Sequence, residues 1–283
     1  MKQVSVIIPA YNEEEGIGEV LERVHRVLRG RYDYELIVVD DGSTDRTLII
    51  AQEHMARIVS NPTNVGYGFS IKRGIRAAAG ECVFITDADG TYPIERLPEF
   101  IDKFYDGFDM VVGARQGAAY MSSAAKSFAR LCFKLMSEFV TGKKIADINS
   151  GFRVLRRSKM LPILDDLSNT FSFTTSTTLI FFLQHNFIKY IPIEYTKRKG
   201  KSKVKYLRDA LVATQIMVDI IARYNPIKLF LLLSFMPFAA GLVFLIGALF
   251  GGGASLLILA LNSFFFGLLL LALGFLATMF RKI

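Results

Sequence analysis

Two aspartates that lie two residues apart, Asp87 and Asp89, are the side chains in this sequence best suited to chemistry. They follow the apolar residues Val83, Phe84 and Ile85, a run that predicts a buried strand leading into a loop. Side chains at positions i and i+2 of an extended chain point the same way, so both carboxylates can face one cation. Carboxylate oxygens suit Mg²⁺ or Mn²⁺. The pair therefore predicts a divalent-cation site, with an ordinary strand-end turn as the alternative.

Two other predicted strands also end in polar clusters. Residues 4–8 lead into residues 9–13, and residues 36–39 lead into Asp40 and Asp41. Strands that alternate with helices through short connections predict an α/β fold with a mostly parallel sheet covered on both faces. Ligands of such sheets bind beyond the carboxyl ends of the strands, so we expect the three clusters to converge there.

The first predicted helix begins at Asn12, which three glutamates follow. Asparagine is a preferred N-cap residue, and acidic side chains in a first turn complement the helix dipole. We therefore expect Asn12 to cap a helix that starts at residue 13.

The chain has 283 residues and 52% hydrophobic content, and the apolar excess is concentrated after residue 226. Residues 227–250 and 256–280 are each long enough to cross a hydrocarbon core of about 30 Å as a helix. We predict a globular domain over residues 1–203, an amphipathic interfacial helix over 204–225 and two transmembrane helices within 226–283. Basic residues at both ends of this hairpin, Lys228 and Arg281, predict that the globular domain faces the cytoplasm.

The net charge of +8 favours phosphorylated or anionic partners, and no nucleic-acid-binding motif is found. The two cysteines and three histidines lack the spacing of a zinc site or a catalytic triad.

Basic side chains gather in the second half of the globular domain. Arg115 ends a predicted fifth strand, and Lys126, Arg130 and Lys134 recur every four residues. With an apolar face beside it, this basic stripe predicts a helix at a membrane surface that meets lipid phosphates, or else an ordinary surface helix. The basic loop at 197–203 predicts a phosphate or headgroup contact, or else a solvated run of charges.

Residues 7–13 (IIPAYNE), 38–45 (VVDDGSTD) and 87–90 (DADG) together resemble the family 2 glycosyltransferases with a GT-A fold. Residues 150–152 (SGF) and 200–203 (GKSK), followed by membrane helices, are similar to dolichol-phosphate mannose synthases and bacterial polyprenyl-phosphate glycosyltransferases of the undecaprenyl-phosphate glucosyltransferase type. This resemblance implies a UDP- or GDP-linked sugar donor, Mg²⁺ or Mn²⁺, and a polyprenyl phosphate acceptor at the plasma membrane. It also implies a homo-oligomer and a flippase partner.

The resemblance also implies roles for individual residues. The donor site would comprise Pro9, Tyr11, Glu13, Val39, Asp41, Asp87, Ala88, Asp89 and Thr91. The metal would be held by Asp87 and Asp89, and Thr91 stands where many relatives carry Gln, so the third metal contact is open. The acceptor phosphate would be met by Arg115, Lys126, Arg130, Arg153 and Lys203. The catalytic residues would be Asp87, Asp89, Arg115 and Lys203.

The acceptor class follows from the residues expected to hold a catalytic base. Relatives that glycosylate hydroxyl groups need a carboxylate base, and residues 171–178 are here FSFTTSTT. An anionic phosphate needs no base, so we predict inverting transfer to polyprenyl phosphate. One alternative is transfer to a hydroxyl acceptor, for which Asp147 and Asp165 are the nearby candidate bases. A non-catalytic nucleotide-binding subunit of a membrane complex is another.

Overall fold

The computed structural model describes residues 3–116, 124–196 and 206–280, without the side chains of 124–130, 132, 206–210 and 252. Its contacts divide the chain into two units, Met1–Ala213 and Thr214–Ile283. This division falls inside the helix Tyr206–Tyr224, whereas the sequence placed boundaries at 203 and 225. Those domain limits stay predictions.

The strands of the first unit are β1 (Gln3–Ala10), β2 (Asp33–Asp40), β3 (Arg57–Ser60), β4 (Cys82–Ile85), β5 (Met110–Gln116), β6 (Arg153–Arg156) and β7 (Ile188–Glu194). The helices before the second unit are α1 (Ile17–Leu28), α2 (Thr47–Glu53), α3 (Tyr67–Ala77), α4 (Leu97–Tyr105), α5 (Ala124–Thr141), α6 (Arg157–Met160) and α7 (Phe173–Leu183). Helix α8 (Tyr206–Tyr224) spans the division, and 3₁₀ turns cover Ile94–Arg96 and Leu161–Asp166.

The seven strands form one sheet in the order β3-β2-β1-β4-β6-β5-β7. All neighbours pair in parallel except β6, which is antiparallel to both β4 and β5. The predicted mostly parallel sheet is therefore confirmed, with one reversed strand that the sequence did not reveal. The carboxyl ends of β1, β2, β4 and β5 consequently lie at the same edge of the sheet, where β6 begins. We call it the site edge.

The central strands are buried on both faces, which accounts for their nearly continuous apolar sequences. In β1, Val4, Val6, Ile7 and Ile8 have no exposed surface. Burying each such side chain contributes about 1.5–3 kcal/mol. This packing fixes the strands whose ends carry the polar clusters.

Helix α1 begins at Ile17, so the predicted cap at Asn12 is wrong. Asn12 has a φ of 49°, in the left-handed region that asparagine tolerates. Its Oδ1 accepts the Thr44 backbone N–H at 2.8 Å, and its own N–H donates to Ser43 Oγ at 3.0 Å. Asn12 therefore joins two loops at the site edge instead of starting a helix.

The second unit contains α9 (Pro226–Gly247), a π-helical turn (Ala248–Gly252) and α10 (Gly253–Phe280). By length and composition, the segments Pro226–Gly251 and Gly253–Phe280 are each sufficient to cross a membrane. The two predicted long apolar helices are therefore confirmed. They pack through glycines that face phenylalanine rings of the other helix, in the pairs Gly241–Phe264, Gly267–Phe238 and Gly274–Phe230.

Candidate functional site

Asp89 is held in a tight turn just beyond the end of β4. Its Oδ1 accepts the Thr91 backbone N–H at 3.1 Å and the Thr91 hydroxyl at 2.7 Å, an arrangement typical of aspartate-led turns. Gly90, between them, has a φ of 72°, which glycine adopts at no steric cost. Asp89 and Thr91 are only 7% and 2% exposed. Thr91 therefore supports the Asp89 carboxylate.

Asp87 lies between a tyrosine and a glycine. The Tyr67 hydroxyl donates to Asp87 Oδ1 at 3.0 Å. A β-carbon at Gly151 would lie 2.9 Å from the Tyr67 oxygen and 3.0 Å from Asp87 Oδ1, so a larger residue would displace one of them. Burial and the neighbouring Asp87 carboxylate raise the pKa of Tyr67 well above its ordinary value. The phenol therefore keeps its proton and remains a donor.

The two carboxylates fit a divalent cation of the magnesium type. Within the described ranges, no cluster of three or more Asp, Glu, His or Cys residues suitable for a metal is found. Mg²⁺ is commonly held by one or two carboxylates, with substrate phosphates and water completing its shell. Asp87 and Asp89 are carboxylates of that type, so the residues present fit such a cation, and the missing ligands would come with a phosphorylated substrate. That both residues bind one cation stays a prediction.

Asp41, expected to contact the donor, anchors a neighbouring loop. Its Oδ1 accepts Asn61 Nδ2 at 2.7 Å and the Val65 N–H at 3.1 Å, while its Oδ2 accepts the Gly66 N–H at 2.9 Å. The residue is 4% exposed. The carboxylate therefore fixes the loop that leads into α3 and Tyr67.

The other expected donor residues converge on the site edge. Pro9 pairs with Val39 in the β1–β2 register, so their strand ends lie side by side. Tyr11 and Glu13 are partly exposed in the loop that follows β1. A β-carbon at Gly16 would lie 2.7 Å from the Ala88 carbonyl oxygen, so this loop packs directly on the segment carrying Asp87 and Asp89.

Arg115, at the end of β5, forms a two-pronged ion pair with Asp147. Its guanidinium donates to both carboxylate oxygens, at 2.7 Å and 3.0 Å, and its backbone N–H lies 3.2 Å from Oδ2. The guanidinium carbon also lies 5.5 Å from the centre of the Tyr195 ring. Arg115, the expected phosphate ligand, and Asp147, the alternative base, are thus joined to each other.

Arg153 is fully buried, at 0% exposure. Its guanidinium has a partner for each N–H group: the carbonyls of Ile148, Ser150 (twice) and Thr174, and the Thr178 hydroxyl. Burial lowers its pKa. The structure therefore places Arg153 inside the domain, where it holds the 148–150 loop against α7, and does not bring it to the surface of the site.

The other three expected phosphate ligands lie partly or wholly outside the described residues. The backbones of Lys126 and Arg130 belong to α5, but their side chains are outside the described part. Lys203 lies between the described ranges 124–196 and 206–280. Their contacts with phosphate stay predictions.

Three tyrosines near the carboxylates, Tyr67, Tyr92 and Tyr195, were not identified from the sequence. The Tyr92 hydroxyl accepts the Gly151 N–H at 2.9 Å, and burial raises its pKa. The pKa of Tyr195 is raised by burial and also by the charges of Asp89 and Asp87. Tyr92 follows the DADG segment closely enough for a local signal, whereas Tyr67 and Tyr195 reach the site through tertiary packing.

Comparison with known proteins gives one family match and several relatives. A family model described as "Glycosyl transferase family 2" matches residues 5–161. A dolichyl-phosphate hexose transferase of Haloferax volcanii is 33% identical over 205 residues, covering 71% of this chain and 86% of the relative. An undecaprenyl-phosphate 4-deoxy-4-formamido-L-arabinose transferase of Pseudomonas fluorescens is 30% identical, covering 88% and 75%. A dolichol-phosphate mannosyltransferase of Pyrococcus furiosus is 29% identical, covering 73% of this chain and 62% of the relative.

Solved structures share the fold of the first unit. Glucosyl-3-phosphoglycerate synthase of Mycobacterium tuberculosis, bound to Mn²⁺, UDP-glucose and phosphoglyceric acid, matches with a TM-score of 0.65 at 20% identity. The match covers 77% of this chain and 79% of that one. The likeness establishes the expected GT-A fold.

Proposed function

The chain belongs to glycosyltransferase family 2, as its motifs predicted, and from this premise we propose that it transfers a hexose from a UDP- or GDP-sugar to a polyprenyl phosphate. The relatives above are named for dolichyl- and undecaprenyl-phosphate acceptors, which supports this acceptor class. The neighbouring fold with bound UDP-glucose and Mn²⁺ supports a nucleotide-sugar donor and a divalent cation.

The observation that carries the proposal is that, in the described part of the chain, α7 and its surroundings offer no carboxylate placed to act as a base. Residues 171–183 contain no carboxylate, and the hydroxyl-bearing residues from Thr174 to Thr178 are buried. Asp147, the nearby alternative base, directs both carboxylate oxygens to Arg115. A hydroxyl acceptor would need a positioned base, whereas an acceptor phosphate is already anionic at neutral pH.

The proposed reaction is a single displacement. An oxygen of the acceptor phosphate forms a bond to the anomeric carbon, while the bond from that carbon to the donor diphosphate breaks. The electron pair leaves with the nucleoside diphosphate, and no proton is transferred. Attack opposite the leaving group converts an α-linked donor into a β-linked polyprenyl-phosphate sugar.

Charged residues at the site edge would assist this displacement by stabilising the negative charge of the phosphates. A divalent cation held by Asp87 and Asp89 would neutralise the charge that develops on the leaving diphosphate. Arg115 is oriented by Asp147 and would offer a pre-positioned guanidinium to the phosphates. Lys126, Arg130 and Lys203 would add charge for the acceptor. We assign Arg153 to holding the 148–150 loop instead of to phosphate binding.

Helix α5 supports access to a lipid acceptor. Leu131, Leu135 and Phe139 recur every four residues and are 51%, 56% and 48% exposed. The Lys134 side chain, also on this helix, is 46% exposed. An apolar stripe with basic neighbours is typical of a helix that lies in a membrane surface. We infer that α5 contacts the bilayer from which the polyprenyl phosphate enters.

Helices α9 and α10 would anchor the chain in the plasma membrane, with the catalytic domain on the cytoplasmic side, as the basic residues Lys228 and Arg281 in the sequence predict. Asn262 is exposed on the surface of α10, among apolar residues. A polar side chain at membrane depth favours association with another helix, so we infer a homo-oligomer formed through this surface. A flippase that moves the product across the bilayer is the further expected partner.

A transfer assay tests the proposal. The full chain in detergent would be incubated with Mn²⁺ or Mg²⁺, a short polyprenyl phosphate and a panel of UDP- and GDP-sugars, and nucleoside diphosphate release would be measured. We expect release with one donor that depends on the lipid phosphate and is lost in Asp89→Ala. Release that instead responds to diacylglycerol or a glycan would favour the hydroxyl-acceptor alternative. No release with any donor would favour a non-catalytic nucleotide-binding subunit.

A further inference from the structure

The Asp87 carboxylate is confined by groups from two other parts of the chain, and we propose that Tyr67 is the residue that positions it. The inference deepens the proposed function, since it concerns a carboxylate that would face the cation and the donor sugar. Tyr67 would act through Asp87 without itself touching the substrate.

Contacts on two sides fix the Asp87 carboxylate. The Tyr67 hydroxyl donates to its Oδ1 at 3.0 Å. At Gly151, a β-carbon would lie 3.0 Å from Oδ1 and 3.1 Å from Oδ2, so the glycine backbone borders both oxygens. A hydrogen bond to one oxygen, with backbone packed against both, limits rotation of the carboxylate about its bond to the β-carbon. The direction of Oδ2 is thereby set before any ligand binds.

Tyr67 is itself held by the loop at 167–171. Its ring stacks on Phe171, with centroids 5.5 Å apart and planes inclined by 21°. That loop is tied to α3 by Lys72, whose Nζ donates to Asn169 Oδ1 at 2.8 Å, and by the Phe69 N–H, which donates to the Asn169 carbonyl at 3.1 Å. The Tyr67 ring and the Phe171 ring that it stacks on are thus both held in place, so the position of the Tyr67 hydroxyl is fixed.

The close approach of the loop to α3 depends on Gly68. A β-carbon at this position would lie 2.4 Å from the Ser168 carbonyl oxygen. The glycine therefore allows the 167–171 loop to rest directly on the first turn of α3, beside Tyr67. This packing explains how a tyrosine that is 20 residues from Asp87 in sequence keeps its hydroxyl at the carboxylate.

Residues that orient a metal-binding carboxylate affect the metal although they do not touch it. Loss of such a partner typically lowers metal affinity or activity by about 10-fold to 100-fold. The expected effect of losing the Tyr67 hydroxyl is therefore weaker cation binding and slower turnover, with an intact fold.

The test is Tyr67→Phe in the full chain, which removes the hydroxyl and keeps the ring that stacks on Phe171. The matched control is Tyr34→Phe, because the Tyr34 hydroxyl hydrogen-bonds His25 Nδ1 at 2.7 Å near the start of β2, at the end of that strand away from the site edge. Mn²⁺ binding would be titrated by electron paramagnetic resonance in the presence of UDP or GDP, with no acceptor. Thermal unfolding and kcat would be measured in parallel.

We expect Tyr67→Phe to bind Mn²⁺ about 10-fold more weakly and to lower kcat by a similar factor. Its unfolding temperature should change no more than that of Tyr34→Phe, which should keep wild-type Mn²⁺ affinity. A double-mutant cycle tests whether Tyr67 acts through Asp87. In an Asp87→Asn background, Tyr67→Phe should cause little further loss of Mn²⁺ affinity. A purely structural role would give the same loss in both backgrounds.

The inference is overturned if Tyr67→Phe keeps wild-type Mn²⁺ affinity, or if its effect is undiminished in the Asp87→Asn background. Because the binding assay contains no acceptor, its outcome is separate from that of the proposed transfer. A wild-type chain that binds Mn²⁺ with a nucleotide but transfers no sugar to polyprenyl phosphate would refute the proposed acceptor class. The role of Tyr67 would then still be decided by the Mn²⁺ affinities of the variants. A wild-type chain that binds no Mn²⁺ with either nucleotide would overturn this inference directly.

Discussion

The Arg115 Nε lies 2.7 Å from Asp147 Oδ2, and its Nη2 lies 3.0 Å from Asp147 Oδ1. Both side chains are largely buried, at 14% and 2% exposure. The pair orients the guanidinium at the end of β5 and occupies Asp147, one of the two carboxylates considered as an alternative base. This ion pair therefore bears on two predictions, namely that Arg115 binds phosphate and that the acceptor is a phosphate instead of a hydroxyl group.

Replacing Asp147 should show whether this residue positions Arg115 or acts as a general base. Breaking a buried ion pair by removing one partner costs about 3–5 kcal/mol, so Asp147→Ala should unfold at a markedly lower temperature. Asp147→Asn keeps one acceptor oxygen for Arg115, and we expect a milder loss of stability. Lipid-dependent nucleoside diphosphate release by Asp147→Asn should fall about 10-fold, which is less than the loss of roughly 10²-fold to 10⁴-fold expected for a general base.

The control is Asp165→Asn, since Asp165 also pairs with an arginine, Arg76, but is 93% exposed. This variant should differ little from wild type because exposed pairs contribute about 0–1 kcal/mol. If Asp147→Asn were as stable as wild type and lost activity by about 10⁴-fold, the residue would be a base and the acceptor a hydroxyl group.

Thr91 should influence the cation through Asp89. Thr91→Val keeps the backbone N–H bond to Asp89 Oδ1 and removes the hydroxyl bond of 2.7 Å. The carboxylate should become less well fixed, so the Mn²⁺ concentration for half-maximal activity should rise about 10-fold. Titration of Mn²⁺ in the donor-turnover assay measures this change.

A hydroxyl–carboxylate contact away from the site serves as the comparison for Thr91. Ser158 Oγ donates to the exposed carboxylate of Glu81, and Ser158→Ala should leave the Mn²⁺ requirement unchanged. An unaltered Mn²⁺ requirement in Thr91→Val would mean that the backbone bond alone is sufficient to orient Asp89.

The sequence is sufficient to predict the parts of the site that are local. Asp87 and Asp89 share a turn, and the strands that precede the polar clusters are apolar enough to recognise from composition. Other residues of the site are joined to distant segments: Tyr67 is 20 residues from Asp87, and Arg115 is 32 from Asp147. Their contacts depend on the order and direction of strands, including the antiparallel β6, for which the sequence has no local signal.

Asn12 and Arg153 show why side-chain type alone does not determine the partner of a residue. Asn12 has the side chain of a helix cap, and the resemblance implied that Arg153 contacts the acceptor phosphate, a role that stays a prediction. In the fold, their hydrogen-bonding groups are used by other backbone segments: Asn12 bonds to Thr44, and Arg153 bonds to Ser150. Propensity describes what a side chain can bind, whereas tertiary packing decides which partner is within reach.

Replacing Arg153 should therefore reduce stability more than acceptor binding. Arg153→Met would remove both guanidinium donors from the buried Ser150 carbonyl, and an unsatisfied buried group costs about 1–3 kcal/mol. We expect a loss of about 1–3 kcal/mol in the free energy of unfolding. In the protein that still folds, the KM for polyprenyl phosphate should remain close to wild type.

The matched arginine is Arg76, whose side chain is 48% exposed in its pair with Asp165. Arg76→Met should change the unfolding temperature little. An Arg153→Met variant of normal stability with a greatly raised KM for polyprenyl phosphate would instead restore Arg153 as a phosphate ligand.

Asn262 should govern self-association of the membrane helices. It lies nine residues after the start of α10, about 13 Å along the helix axis, and its side chain is exposed among Ile258 and Phe265, which are 58% and 69% exposed. An amide carries both a donor and an acceptor, so the same residue of a second copy can satisfy it reciprocally. Such contacts contribute about 0.6–2 kcal/mol within a membrane.

Asn262→Leu should thus weaken association by roughly threefold to 30-fold, whereas Leu257→Ala on the same helix should not. Light scattering of the purified chain over a detergent dilution series would measure the shift, and an oligomer unaffected by Asn262→Leu would place the interface elsewhere.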